Sequence, residues 1–157
     1  MAIPIIETIA TTLAGYINAI TTAAGFNQDL TAVRPKRIHL EGDLNDDNTV
    51  IIEQESAELI DQTDTTITWR QGFTLQAIVI DSDTATDALD TRLNKIRSDI
   101  EKKLCASASL RLGGLAEGII FKSTEKFISD PRLAGIAVNI DVIYTTNYSD
   151  PYSQSAV

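Results

Sequence analysis

The side chains best suited to chemistry are few: a single histidine (His39), a single cysteine (Cys105) and nine acids between Glu41 and Asp64. Histidine is the commonest general base and metal ligand near neutral pH, so one copy leaves only one position for that work. His39 sits in Lys36-Arg37-Ile38-His39-Leu40, which reads as a short strand and gives it a structural place. Cys105 ends an amphipathic stretch with no histidine near it in sequence, so it is expected to pack as a small apolar residue rather than act as a nucleophile. A lone cysteine forms no internal disulfide, in keeping with a reducing compartment. Asp43-Leu44-Asn45-Asp46-Asp47-Asn48 opens like a calcium loop. Such a loop needs glycine at its sixth position and glutamate at its twelfth, where this chain has Asn48 and Gln54, and no flanking helices are expected. A solvated hairpin turn is the expectation. Paired carboxylates of the glycosidase kind could be drawn from the same acids, but nothing in the sequence buries any of them. Gly-x-Ser-x-Gly, Walker, dinucleotide-binding and Cys-x-x-Cys patterns are all missing from the sequence. Catalysis, a metal and a cofactor are therefore not expected.

The acids also dominate the charge. Thirteen basic and 22 acidic residues give a net charge of −9, yet residues 1–40 carry +1 and residues 65–157 carry −1. The whole excess lies in residues 41–64, which hold no base. A chain so charged is poorly suited to gripping nucleic acid or an anionic membrane. The remaining composition, 43% hydrophobic and 22% charged, is that of a soluble domain. The N-terminus lacks a basic leader region, Glu7 interrupts its first apolar stretch, and no run approaches the ~18 apolar residues that span a bilayer. A cytosolic protein is expected.

These residues must be positioned by seven elements. Ile5, Ile6, Ile9, Leu13, Tyr16, Ile17 and Ile20 recur at helical spacing, with Pro4 at the start and Gly25 as the expected stop. After a loop over residues 26–35, the segments 36–40 and 49–53 read as a hairpin around the turn-rich 41–48. A polar linker, Gln54–Asp64, leads to a long strand at about 65–80. There Ile67, Trp69, Phe73, Leu75, Ala77 and Val79 share one face. A second helix is expected over 84–104, capped by Asp83 or Thr84, with Leu89, Leu93, Ile96, Ile100 and Leu104 on one face. Gly113-Gly114 marks a turn before strands at about 117–127 and 133–145. In the latter Ile136, Val138, Ile140, Val142 and Tyr144 face inward while Asn139 and Asp141 face out.

The order α-β-β-β-α-β-β implies an α+β fold, a largely antiparallel sheet with two helices packed on one face. Residues 1–145 form one domain, and 146–157 form an extended C-terminal tail expected to pair with nothing in its own subunit.

The end of the chain carries a family resemblance. Val138-Asn139-Ile140-Asp141-Val142-Ile143-Tyr144-Thr145-Thr146 followed by Asp150-Pro151-Tyr152 is similar to the ending of tailed-phage tail terminator proteins, an alternating strand closing in Tyr-x-Thr and then a short Asp-Pro linker. The layout of most of the chain fits as well. The resemblance implies a non-enzymatic virion protein that assembles into a six-membered ring. Its partners would be the tail-tube protein and the head connector, with DNA passing through the lumen unrecognised. Two contact regions follow: the tail residues Tyr148, Asp150, Pro151 and Tyr152, suited to lying on a neighbour, and an acidic lumen or docking loop at Asp43, Asp46 and Asp47. The alternatives are another neck or connector protein, a small carboxylate enzyme, and a ligand-binding module.

Overall fold

A computed structural model describes residues 1–35, 47–80, 82, 85–106, 109, 111–130 and 133–154. The expected strand at 36–40 with His39, the loop acids Asp43 and Asp46, and the helix caps Asp83 and Thr84 lie outside the described residues.

The first helix, α1 (Ile5–Asn18), buries Ile5, Ile9, Ala10, Leu13 and Ile17, the stripe its spacing predicts. It stops at Asn18, earlier than Gly25. A 3-10 turn at Thr22–Ala24 intervenes, and Gly25, with φ of +86°, caps that turn instead. The Asn18 side chain accepts from the Ala32 amide at 2.8 Å and so ties the helix end to β1 (Thr31–Val33).

Four longer strands follow: β2 (Thr49–Gln62), β3 (Thr66–Ile80), β4 (Gly118–Asp130) and β5 (Leu133–Asn147), with α2 (Leu89–Cys105) between β3 and β4. The sheet order is β1-β2-β3-β5-β4, and a short β6 (Asp150–Gln154) pairs with β5. Three features differ from the expectation. The sheet is mixed, because β1 lies parallel to β2 (Thr31 opposite Thr49). Gln54–Gln62 is strand rather than linker, because its backbone pairs with β3 from Gln54 opposite Phe73 to Gln62 opposite Ile67. Residues 150–154 are likewise strand, so the tail does pair within its own chain.

One sheet face and the two helices form a single core. Val50, Ile52, Phe73, Leu75, Ala77, Val79, Ile136, Val138, Ile140 and Val142 meet Ile9, Leu13 and Ile17 of α1 and Leu93, Ile96, Ile100 and Leu104 of α2. α2 starts at Leu89 without a side-chain cap. It carries a buried acid instead: the Asp99 carboxylate accepts from the Asn27 amide at 2.9 Å, the Asn27 side chain at 2.8 Å and the Gln28 amide at 3.1 Å, holding the loop after α1 against the helix. A buried carboxylate requires such compensation.

One glycine is fixed by contact. A Cβ at Gly135 would lie 2.3 Å from Phe127 Cζ and 2.6 Å from the Ala77 carbonyl oxygen, so the Phe127 ring lies across a glycine on the neighbouring strand. Gly135→Ala is expected to lower unfolding stability by about 1–3 kcal/mol in urea titration. Gly118→Ala, where a Cβ meets nothing within 4 Å, serves as the near-neutral control.

The Arg34 guanidinium donates to both Glu7 oxygens, at 2.5 and 3.0 Å, clamping the segment after β1 onto α1. That hydrogen bond holds the Glu7 carboxyl below its usual range. A depressed carboxyl contributes stability above its unfolded pKa and loses it as pH falls through the folded value. The pair is substantially exposed, so its share is under about 1 kcal/mol. Glu7→Gln should lower the melting temperature slightly at pH 7, and the difference from the parent should vanish in acid.

Candidate functional site

The candidate contact regions lie at the two ends of β3. At one end, Asp47 accepts from the Ile80 amide at 3.1 Å and from Arg92 at 2.8 Å. It is an anchor for the end of β3 and the start of α2. Of the three acids assigned to a lumen or docking loop it is the one within the described residues, and its charge is already paired with Arg92.

At the other end, the Tyr148 amide donates to the Thr65 carbonyl at 2.8 Å, joining the β5–β6 turn to the β2–β3 turn. β3 has 15 residues, so the two ends are roughly 50 Å apart along the strand. β3 already occupies one side of β5 at Thr146 and Asn147. β6 therefore takes the other side, beyond the start of β4. Asp150 shapes β6: its oxygens accept from the Tyr152 amide at 3.0 Å and the Ser153 hydroxyl at 2.5 Å, the first an Asx turn. The Gln154 side chain donates to the Gly114 carbonyl at 2.5 Å and pins the strand's end.

The assigned residues thus divide their work. Asp150 is used within its own segment, Pro151 is exposed, and the rings of Tyr148 and Tyr152 stay 50% and 48% exposed. Leu59 and Ile60 on β2 add two more exposed apolar side chains at this end, at 47% and 43%. Both lie in the stretch read as a linker. Their signal was a pair of aliphatic residues inside a polar run, which alternation does not register.

A third region is the solvent face of the sheet. Asp141, expected to face outward, does so yet is only 5% exposed. It lies between Arg70 (Nε to Oδ2, 3.9 Å) and Lys122 (Nζ to Oδ2, 3.6 Å), while Arg70 Nη1 is 3.6 Å from Glu58. Gly72, opposite Asp141, supplies no side chain, and a cavity of about 440 Å³ opens there, also lined by Glu55, Thr74 and Asn139. Its buried acid is balanced by two cations. Beneath the cavity, Gln71 occupies the apolar face. Its Nε2 donates to the Glu55 carbonyl at 2.6 Å and the Gly72 carbonyl at 3.0 Å, satisfying backbone groups released by the β2 bulge between Gln54 and Ala57. The gap at Gln71-Gly72 in the alternation of β3 was the visible sign of it.

Among the described residues no cluster of three His, Cys, Asp or Glu side chains could hold a metal, and no helix is long and apolar enough to cross a membrane. Cys105 is exposed, not packed as expected. No protein-family model matches this chain, and no curated protein matches it.

Asp150→Ala removes both bonds that shape β6. Faster hydrogen exchange confined to residues 148–154 is expected, with the global melting point nearly unchanged, because the segment's tyrosines and proline lie outside the core.

Proposed function

We propose that this chain is a subunit of a virion ring, a tail terminator of a tailed bacteriophage that caps the tail tube and offers its other surface to the head connector. The observation that carries this reading is the separation of exposed contact regions along β3. A terminator must meet two different partners on opposite sides, and this sheet has an end anchored by Asp47 and Arg92 and a tyrosine- and leucine-bearing end at Tyr148, Tyr152, Leu59 and Ile60. The likeness of residues 138–152 to the ending of terminator proteins supports the same reading. Six copies would carry a formal charge of −54, and an acidic lumen repels phosphate, so DNA can slide through without being held. The protein would assemble in the host cytoplasm and reside in the virion, at the end of the tail.

Native mass spectrometry of the purified protein, alone and mixed with tail-tube protein, tests this. A six-subunit species in either condition is expected, together with an end to tube elongation when the protein is added to polymerising tubes. A strict monomer under both conditions overturns the reading.

A further inference from the structure

The cavity above Gly72, on the sheet face away from the helices, is lined within a single subunit and plays no part in the ring reading. We propose that it is a binding site for a neutral saccharide, one sugar unit whose hydroxyls are held by Asp141, Arg70 and Lys122.

Three charged groups meet there without completing a hydrogen bond. Asp141 Oδ2 lies 3.9 Å from Arg70 Nε and 3.6 Å from Lys122 Nζ, both beyond the roughly 3.2 Å of a well-formed N–H···O bond. Arg70 Nε is buried and has no hydrogen-bond partner among the described residues. The other end of the same guanidinium, Nη1, is 3.6 Å from Glu58. A buried donor without an acceptor costs free energy, so a ligand atom that accepts from it has something to gain. The carboxylate is open to such a ligand because its partner across the strands is a glycine: Asp141 Oδ1 is 3.6 Å from the place a Cβ on Gly72 would occupy.

Charge selects the ligand. An anion placed among these groups gains Arg70 and Lys122 but meets Asp141, with Glu55 and Glu58 also on the wall. A cation gains Asp141 but meets Arg70 and Lys122. A hydroxyl escapes both penalties: it accepts from Arg70 Nε and Lys122 Nζ and donates its proton to Asp141. Hydrogen bonds with one charged partner are the strong ones. Thr74 provides for a second hydroxyl. Its single proton has two acceptors within reach, Glu55 Oε1 at 3.1 Å and Asn139 Oδ1 at 2.9 Å, so one of them is left for a ligand donor. The cavity volume of about 440 Å³ falls within the roughly 300–1,000 Å³ of small-molecule sites. Its polar lining suits a molecule that carries hydroxyls on most sides. Water hydrates these groups in the free protein, and a sugar hydroxyl that reproduces its bonds displaces it with little loss.

The test is a titration of the ¹⁵N-labelled full-length chain with glucose, galactose, mannose and their methyl glycosides, followed by NMR. At least one sugar should give saturable shifts at the Gly72 and Asp141 amides and at the Arg70 Nε–H resonance, which reports the orphaned donor directly. A dissociation constant on the order of millimolar is expected for a ligand of this size. Asp141→Asn and Lys122→Ala should each weaken binding by about tenfold or more, the loss of a charge-assisted hydrogen bond. Circular dichroism checks folding, and Lys122, whose side chain is exposed, keeps the test decisive if Asp141→Asn does not fold. A methyl glycoside that binds as well as its parent sugar points to the end of a glycan chain, and one that fails points to a free sugar; both support the site. Inorganic phosphate and ethylammonium chloride serve as the charged probes. Saturable shifts at Arg70 Nε–H with either of these and with no sugar overturn the saccharide. Sugar shifts that never saturate, or an affinity unchanged in a folded variant, overturn the site. None of these outcomes touches the ring reading, which the subunit count tests separately.

Discussion

The burial of one face of the sheet under two helices is the constraint from which the remaining features of this chain follow. Each large side chain buried there, such as Phe73, Leu75, Ile96 or Ile140, contributes roughly 1.5–3 kcal/mol relative to exposure. α1 and α2 have 14 and 17 residues, hence lengths of roughly 20–25 Å. β3 and β5 have 15 residues each, about twice that length. The sheet therefore outruns the helices that cover it. The first four residues of β2 are buried and its last nine are exposed, which marks where the cover ends.

A sheet covered on one side must satisfy its other side without a core. Thr68 and Thr145 are hydrogen-bonded at 2.8 Å, Thr145 donates to Glu117 at 2.6 Å, and Thr74, Asn139 and Ser123 form a chain across three strands at 2.9 Å per link. Asp141 belongs to the same layer. Among the described residues it is the one acid sunk into that layer, and it takes up the charge of Arg70 and Lys122 at 3.9 and 3.6 Å. The 440 Å³ cavity above it follows from the missing side chain at Gly72 and the bulge in β2.

What could be read in advance follows the same division. The alternation of β3 and β5 and the stripes of α1 and α2 were legible because each faces the core, and burial imposes the periods of two and 3.6. Gln54–Gln62 was not, because strand identity there comes from backbone pairing with β3 and not from burial, and three acids in nine residues resemble a loop. β6 was missed for a related reason. Asp-Pro-Tyr-Ser-Gln has little intrinsic strand preference, and the segment is held by Asp150 folding onto its own backbone and by Gln154 reaching Gly114. Gln71 shows where alternation was incomplete: it was passed over between Trp69 and Phe73, and its task of serving the carbonyls of a bulge on β2 arises only after the strands pair.

The location of the surplus charge closes the argument. The bases that this chain has are largely committed within it: Arg34 to Glu7, Arg92 to Asp47, Lys95 to Asp87, Arg97 to Glu101, and Arg70 and Lys122 to Asp141. Among the described residues, the acids of the exposed end of β2 form one ion pair, that of Glu58 with Arg70. Among the described residues no strand but β3 lies beside β2 beyond Ile51, and an edge with that charge repels its own kind, which guards the isolated subunit against stacking β2 on β2. Repulsion between whole −9 subunits acts over distances that salt screens beyond about 8 Å at physiological ionic strength, whereas pairs in contact are screened far less. In the proposed ring, contacts between subunits act at such short range and can therefore prevail over the general repulsion of like-charged copies.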